Sequence, residues 1–183
     1  MQTKIKILLF FLLVIMPWVG IAQYLYKSTQ IETDFFSSAP IENIHAVSKK
    51  GKSVLNAETG EVLFEVRIRT FQFRKAKMQE HFNENFMESV KYPTATFKGK
   101  IREKINVSEN GEYPVTLRGI LDIHGVKENR EIPAKLNIQN GNMKLQSKFD
   151  VACKDHDIEI PKILWKNIAE VVRVKVNANY VKM

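Results

Sequence analysis

Glu61-Val62-Leu63-Phe64-Glu65-Val66-Arg67-Ile68-Arg69 decides the fold of this chain. Val62, Phe64, Val66 and Ile68 fall on one face, and Glu61, Glu65, Arg67 and Arg69 on the other. A period of two is that of a β-strand with one buried and one solvated side, because successive side chains point to opposite faces of a sheet. The pattern recurs downstream. Ala95, Phe97, Gly99 and Ile101 alternate with Thr96, Lys98, Lys100 and Arg102. Val115, Leu117, Gly119, Leu121 and Ile123 form a second inner set, and Ile132, Ala134, Leu136 and Ile138 a third. Met143, Leu145, Ser147, Phe149 and Val151, then Val172, Val174, Val176, Ala178 and Tyr180, complete the series. No strand is apolar on both faces, which excludes the interior of a parallel α/β sheet.

Turn residues separate the runs. Thr59-Gly60 precedes the strand at 61, Glu109-Asn110-Gly111 joins a strand ending near Val107 to one starting near Tyr113, and Gly125 closes the strand ending at His124. Asn140-Gly141 is the strongest hairpin signal in the chain, since both residues accept the positive φ that a tight two-residue turn requires. Short connections between consecutive strands imply an antiparallel meander. Residues 24 to 36 and 42 to 56 supply two or three further strands. Residues 76 to 90 alone look helical, with Met78, His81, Phe82, Asn85 and Phe86 at three- and four-residue spacings and Pro93 beyond. A second irregular stretch, 152 to 168, carries Ile158, Ile160, Pro161, Ile163, Leu164 and Trp165. About eight antiparallel strands either close as an up-and-down barrel or pack as a sandwich, and closure is favoured because no strand shows the Pro or inward charge that protects an open edge. The expected fold is therefore all-β: one antiparallel barrel with one or two short helices on connections.

The N-terminus reads differently. Lys4 and Lys6 precede an unbroken apolar run from Ile7 to Met16, then Pro17, and Gly20-Ile21-Ala22 places small residues at −3 and −1 before Gln23. That is the layout of a secretory signal peptide covering 1–22, with the barrel domain as 23–183 and an exported, periplasmic or secreted location. The whole chain has 183 residues, 44% hydrophobic and 26% charged, with net charge +8; residues 1–22 hold two of its Lys and no acid, leaving 161 residues at +6. The single Cys, Cys153, rules out an internal disulfide framework and reads as a small buried hydrophobe.

Sharper chemistries find little support. The four His lack the i, i+4 spacing of a zinc helix, and Cys153-x-x-His156 has no evident further ligands, so no metal or other cofactor is implied. His81 reads as a polar residue on a short helix, and His124 as a strand-end residue bonded to turn backbone. There is no Gly-x-Ser-x-Gly elbow, no Gly-rich phosphate loop and no conspicuous acid pair, so an enzyme is not expected. Lys and Arg are dispersed among Glu on the outward faces, which argues against a nucleic-acid partner.

Two longer stretches carry a resemblance. Lys77-Met78-Gln79-Glu80-His81-Phe82 is followed by Phe86-Met87-Glu88 and by Lys91-Tyr92-Pro93-Thr94-Ala95-Thr96-Phe97. Further on comes Gly119-Ile120-Leu121-Asp122-Ile123-His124-Gly125-Val126-Lys127. In order and spacing this resembles the YceI-like family. The resemblance implies a lipocalin-like barrel, usually exported, that holds a polyisoprenoid or another long amphiphile inside. Independently, the inward residues are large and apolar, which suits a hydrophobic tail better than a polar metabolite.

The expected function is that of an exported, non-enzymatic binding protein for a polyisoprenoid, isoprenoid quinone or fatty amphiphile. The expected lining is Phe64, Val66, Phe97, Leu117, Leu121, Leu136, Phe149, Val174 and Val176, with Phe71 and Phe73 near a rim. Arg74, Lys75 and Lys77 are candidates for an anionic headgroup or transient contact with a membrane surface. The competing expectation is a structural or interaction module of the cell envelope, with a barrel packed solid and acting through its outer surface.

Overall fold

A computed structural model describes residues 24–161 and 168–183. The expected signal peptide, and Ile163, Leu164 and Trp165, lie outside the described residues. Ten strands form one antiparallel sheet: β1 (Leu25–Ser38), β2 (Asn43–Ser48), β3 (Lys52–Asn56), β4 (Glu61–Arg67), β5 (Gln72–Phe73), β6 (Thr94–Ile101), β7 (Gly111–Ile123), β8 (Val126–Gln139), β9 (Asn142–Ala152) and β10 (Val171–Lys182). Eight of them close into a barrel in the order β1-β3-β4-β6-β7-β8-β9-β10, with β10 pairing back onto β1. The short β2 and β5 branch from the second half of β1 and extend the wall at one end. One short helix, α1 (Ala76–His81), continues as a π-helical turn over Phe82–Phe86. The all-β antiparallel barrel expected from alternation is the observed fold.

β1 shows why the N-terminal strands are hard to read. Tyr26 and Ser28 point inward, but so do Ile31, Thr33, Phe35 and Ser37, which have the opposite parity. A β-bulge between Ser28 and Gln30 inserts one extra residue, and the Thr29 hydroxyl donates to Asn179 O across it. The extra residue returns the apolar set to the core side after the period slips.

Two departures concern strand ends. The strand expected to end near Val107 stops at Ile101. The Glu103 carboxylate accepts the Thr116 amide at 2.7 Å in place of a ladder partner, and that bond holds its carboxyl below the ordinary range. Ile105 and Val107 then pack onto the core from outside the sheet. On β8, Pro133 has its carbonyl turned toward β9, where it accepts the Ser147 hydroxyl at 2.7 Å. Its missing N–H is therefore also on that side, and the β8–β9 ladder ends at Ala134. The expectation that no strand carries an interrupting Pro is thus corrected. Beyond Ala134 the seam is crossed by side chains, with Arg130 donating to Asp150 O at 2.6 Å.

Two hairpins turn on the expected residues. Asn140-Gly141 (φ 50° and 76°) links β8 to β9, and His124-Gly125 (φ 55° and 78°) links β7 to β8. Both are two-residue turns of the mirror-image type that matches strand twist. Gly99 on β6 faces Gly119 on β7. A methyl on Gly119 would stand 2.3 Å from Lys98 O and 2.4 Å from Gly99 Cα, so the two backbones approach too closely for any other residue. The Phe97 ring lies over Gly99 and replaces the missing side-chain cover. Gly119→Ala is therefore expected to destabilise the barrel by about 1–3 kcal/mol, the usual range for overpacking. Chemical denaturation measures this, and a cost below about 0.5 kcal/mol contradicts the close approach.

Candidate functional site

The two ends of the barrel differ. At the end where β1 begins and β10 finishes, Tyr26, Leu55, Val115, Leu136, Ile138 and Met143 are buried in one continuous cluster and fill the interior. At the other end a cavity of about 500 Å³ opens between the strands and α1. Its deep part is bounded by Val62, Leu117, Leu145, Val176, Ala178 and Tyr180, its middle by Phe64, Phe97, Leu121, Phe149 and Val174, and its mouth by Phe35, Phe71, Phe73, Phe82 and Met78. The volume falls within the range that encloses drug-sized ligands, and the wall is almost wholly hydrocarbon.

Tyr180 spans the deep end of the cavity. Tyr180 leaves β10, passes the small Ser28 on β1, and reaches Ser53 on β3. Its hydroxyl lies 2.6 Å from Ser53 Oγ, and Ser53 gives its only proton to Leu63 O at 2.7 Å. The phenol must then be the donor, and the bar is pinned at both ends. Burial pushes the phenol up to about 12 from its ordinary 10.

The mouth is held by aromatic rings from four segments. Phe82, in the turn after α1, stacks on Phe35 of β1 at 5.3 Å between centroids and meets Phe73 of β5 at 4.9 Å. Phe71 lies 5.6 Å from Phe35 and 5.8 Å from Phe82. Met78, His81, Phe82 and Phe86 repeat at three- and four-residue spacing, so one face of the helical segment turns its apolar side to the cavity. Among the described residues, the charged side chains that border the cavity are Glu42, Lys75 and Lys77, at its rim. Lys75 pairs with Glu42 at 2.5 Å, and Lys77 and His81 lie beside them on the cavity border.

The far end of the helical connection is clasped to the barrel by His124. One ring nitrogen lies 3.0 Å from the Glu88 carboxylate, and the other lies 3.1 Å from His156 O in the 3-10 turn Cys153–His156. Tyr92 packs edge-on to the His124 ring at 4.3 Å and covers Gly125, where any Cβ would collide with it at 2.6 Å. Glu88 itself has left-handed backbone (φ 39°), which ends the helix before residue 90. The two stretches that carry the family resemblance therefore meet in space as a clasp, and His124 bonds two elements besides its own turn. Its reading as a residue bonded only to nearby turn backbone is too narrow.

Of the residues expected to line an interior site, Phe64, Val66, Phe71, Phe73, Phe97, Leu117, Leu121, Phe149, Val174 and Val176 border the cavity. Leu136 does not. It is 1% exposed and packs in the buried cluster with Leu55, Ile138 and Met143, outside the cavity wall. Lys75 and Lys77 border the mouth, while Arg74 is exposed and outside it, because the chain turns between β5 and α1. Phe35 and Phe82 were not expected. The bulge hides the phase of Phe35, and Phe82 shows only as one apolar position of a short helix. The interior is also less purely apolar than alternation suggests, since Thr33, Ser37 and Ser147 face the cavity. Cys153 borders the cavity too, and burial pushes its thiol up, away from the thiolate a nucleophile needs. Among the described residues, no three His, Cys, Asp or Glu side chains gather as a ligand set.

Residues 28–180 match the YceI-like domain, and the chain belongs to that family. Nothing among curated proteins matches it. Similar solved structures include a polyisoprenoid binding domain from Saccharophagus degradans implicated in plant cell wall breakdown (TM-score 0.74, 13% identity, 88% of this chain and 100% of that one). BcnA of Burkholderia cenocepacia is similar at TM-score 0.67 and 16% identity, over 81% of this chain and 95% of its own. The YCEI protein of Campylobacter jejuni gives 0.62 and 14%, over 76% and 85%. At these identities the likeness is one of fold.

Two outcomes follow from the floor and the clasp. A phenol with its folded pKa raised leaves stability intact below pH 10 and removes it as pH climbs toward 12, by about 3 kcal/mol over the two units. Tyr180→Phe is expected to flatten that alkaline loss, read from denaturation at stepped pH; an unchanged profile contradicts a buried, protonated phenol. His124→Ala removes both hydrogen bonds at a cost of about 2 kcal/mol. Hydrogen exchange should quicken in residues 76–92 and 153–157 and stay unchanged around Tyr180. Uniform quickening throughout the barrel contradicts a local clasp.

Proposed function

We propose that this chain is an exported, non-enzymatic carrier or store for one long hydrophobic molecule: a polyisoprenoid, an isoprenoid quinone or a fatty amphiphile. The observation that carries the reading is the apolar cavity of about 500 Å³, open at one end and, among the described residues, bordered by charge only at its rim. A solidly packed module has no use for such a space, because an unfilled apolar cavity costs stability in proportion to its volume. The fold similarity to a polyisoprenoid binding domain points the same way. Lys4, Lys6, the apolar run from Ile7 to Met16 and Gly20-Ile21-Ala22 support export.

The mechanism is desolvation. Each methylene moved from water into the cavity contributes about 0.8 kcal/mol, so a tail of a few isoprene units offsets the cost of ordering and reaches micromolar or tighter affinity. The wall gives no directional contact, and the polar end stays at the mouth with Lys75, Lys77, His81 and Glu42. An anionic head displaces Glu42 from Lys75, and a neutral head leaves that pair intact. Exposed Lys75 and Lys77 also favour brief contact with an anionic membrane during exchange.

Solvent extraction of the purified protein followed by mass spectrometry is expected to release a long-chain lipid. Adding a prenol at about a hundred times its Kd should raise Tm by about 5–10 °C. Val174→Trp, which fills the middle of the cavity, should fold normally and retain no lipid. Absence of any lipid together with an unmoved Tm sinks the carrier reading.

A further inference from the structure

The cavity has a fixed depth, and one residue sets it. We infer that Tyr180 is the stop that measures the hydrophobic tail, so that the site takes a tail of about four to five isoprene units and no more. This inference rests on the carrier reading above and specifies its ligand.

Four observations lead to it. The cavity ends against Tyr180, with Val62, Leu117, Leu145 and Ala178 around it, and beyond the ring the interior is filled by Tyr26, Leu55, Ile138 and Met143. The ring does not swing aside freely, because its hydroxyl is bound to Ser53, which is itself bound to Leu63 O. Burial deepens toward this end: Ala178 is 1% and Tyr180 2% exposed, whereas Val172 and Val174 nearer the mouth are only half-buried. Finally, the polar atoms at the floor satisfy one another. The stop therefore presents a hydrocarbon ring to the ligand, and the charged rim is at the opposite end, so the tail enters first.

The length follows from strand geometry. Along β10 the cavity runs from Val172 to Tyr180. Eight steps at about 3.3 Å are about 26 Å along the strand, or about 20 Å along the axis of a barrel whose strands tilt by 35–45°. An isoprene unit adds four bonds to the chain and advances about 4–5 Å when extended, given carbon–carbon bonds near 1.5 Å. Four to five units then span floor to mouth. A sixth stays in water and contributes little.

The test is a titration of the whole mature chain, stripped of lipid, with all-trans prenols of 10, 15, 20, 25, 30 and 45 carbons. For the unaltered protein, affinity should rise about tenfold or more with each unit up to 20 or 25 carbons and then level off. Tyr180→Ala removes the stop and should move the break longer by one unit. Val176→Phe raises the floor from the side and should move it shorter by one unit. The second variant keeps the test alive if the first does not fold, as shown by far-UV circular dichroism. Affinity that climbs to 45 carbons without a break, or a break that neither folded variant moves, overturns the inference and leaves the carrier reading standing. Failure of every prenol to bind the unaltered protein overturns the inference, and if solvent extraction also releases no lipid it overturns the carrier reading with it.

Discussion

The ladder between the first and last strands is the constraint on which the rest depends. β1 and β10 pair antiparallel from Tyr26↔Lys182 to Phe36↔Arg173, which closes the sheet and removes the two edges that an open meander would expose. Closure also fixes what faces inward. The bulge at Thr29 lets one strand of 14 residues deliver Tyr26 and Ser28 on one phase and Ile31, Thr33 and Phe35 on the other, all to the same interior. Without that extra residue, one half of β1 would turn its apolar side to water. The same ladder sets Tyr180 beside Ser28, so that the phenol crosses to Ser53 on the next strand but one. Barrel closure and cavity floor are thus products of one register.

The two ends divide the work of stability and function. Side chains pack the interior beyond Tyr180, and the buried cluster there supplies cohesion. The open end gives up that packing, and its elements are held by contacts of another kind. The Phe35–Phe71–Phe73–Phe82 cluster joins the helical connection to the wall, and His124 clasps its far end through Glu88, Tyr92 and His156 O. Pro133 ends the β8–β9 ladder on the same side. Contacts of this sort yield locally before a ladder does. Access to the cavity therefore does not require opening the barrel.

Much of this was legible in the sequence, and the exceptions have specific causes. Clean alternation from Val62 to Tyr180 reports strands whose outer face is wet, and it located eight cavity-bordering residues, with Phe71 and Phe73 read separately as rim residues. Alternation says which face a residue is on but not how far along the barrel it sits. Leu136 was misplaced for that reason: it faces inward but packs in the buried cluster and not on the cavity wall. Phe35 was missed because a bulge scrambles the period. The clasp was invisible because Glu88, His124 and His156 are far apart in sequence and share no spacing rule. Lys75 was legible only as a charge; that Glu42 already holds it is a fact of tertiary contact.

Selectivity in such a site has few places to reside. Hydrocarbon walls attract any hydrocarbon, and dispersion and desolvation scale with area rather than with identity. Thr33, Ser37 and Ser147 interrupt the wall, but Ser147 is turned to Pro133 O and Ser37 to the Ala169 amide, which leaves Thr33 as the one of these three hydroxyls with no partner among the described residues. One hydroxyl does not define a polar ligand. Discrimination must then come from the boundaries: a floor that excludes length, an aromatic mouth that excludes breadth, and a charged rim that sorts heads. Each boundary rests on side chains from different strands, and closure of the barrel is what brings those strands together.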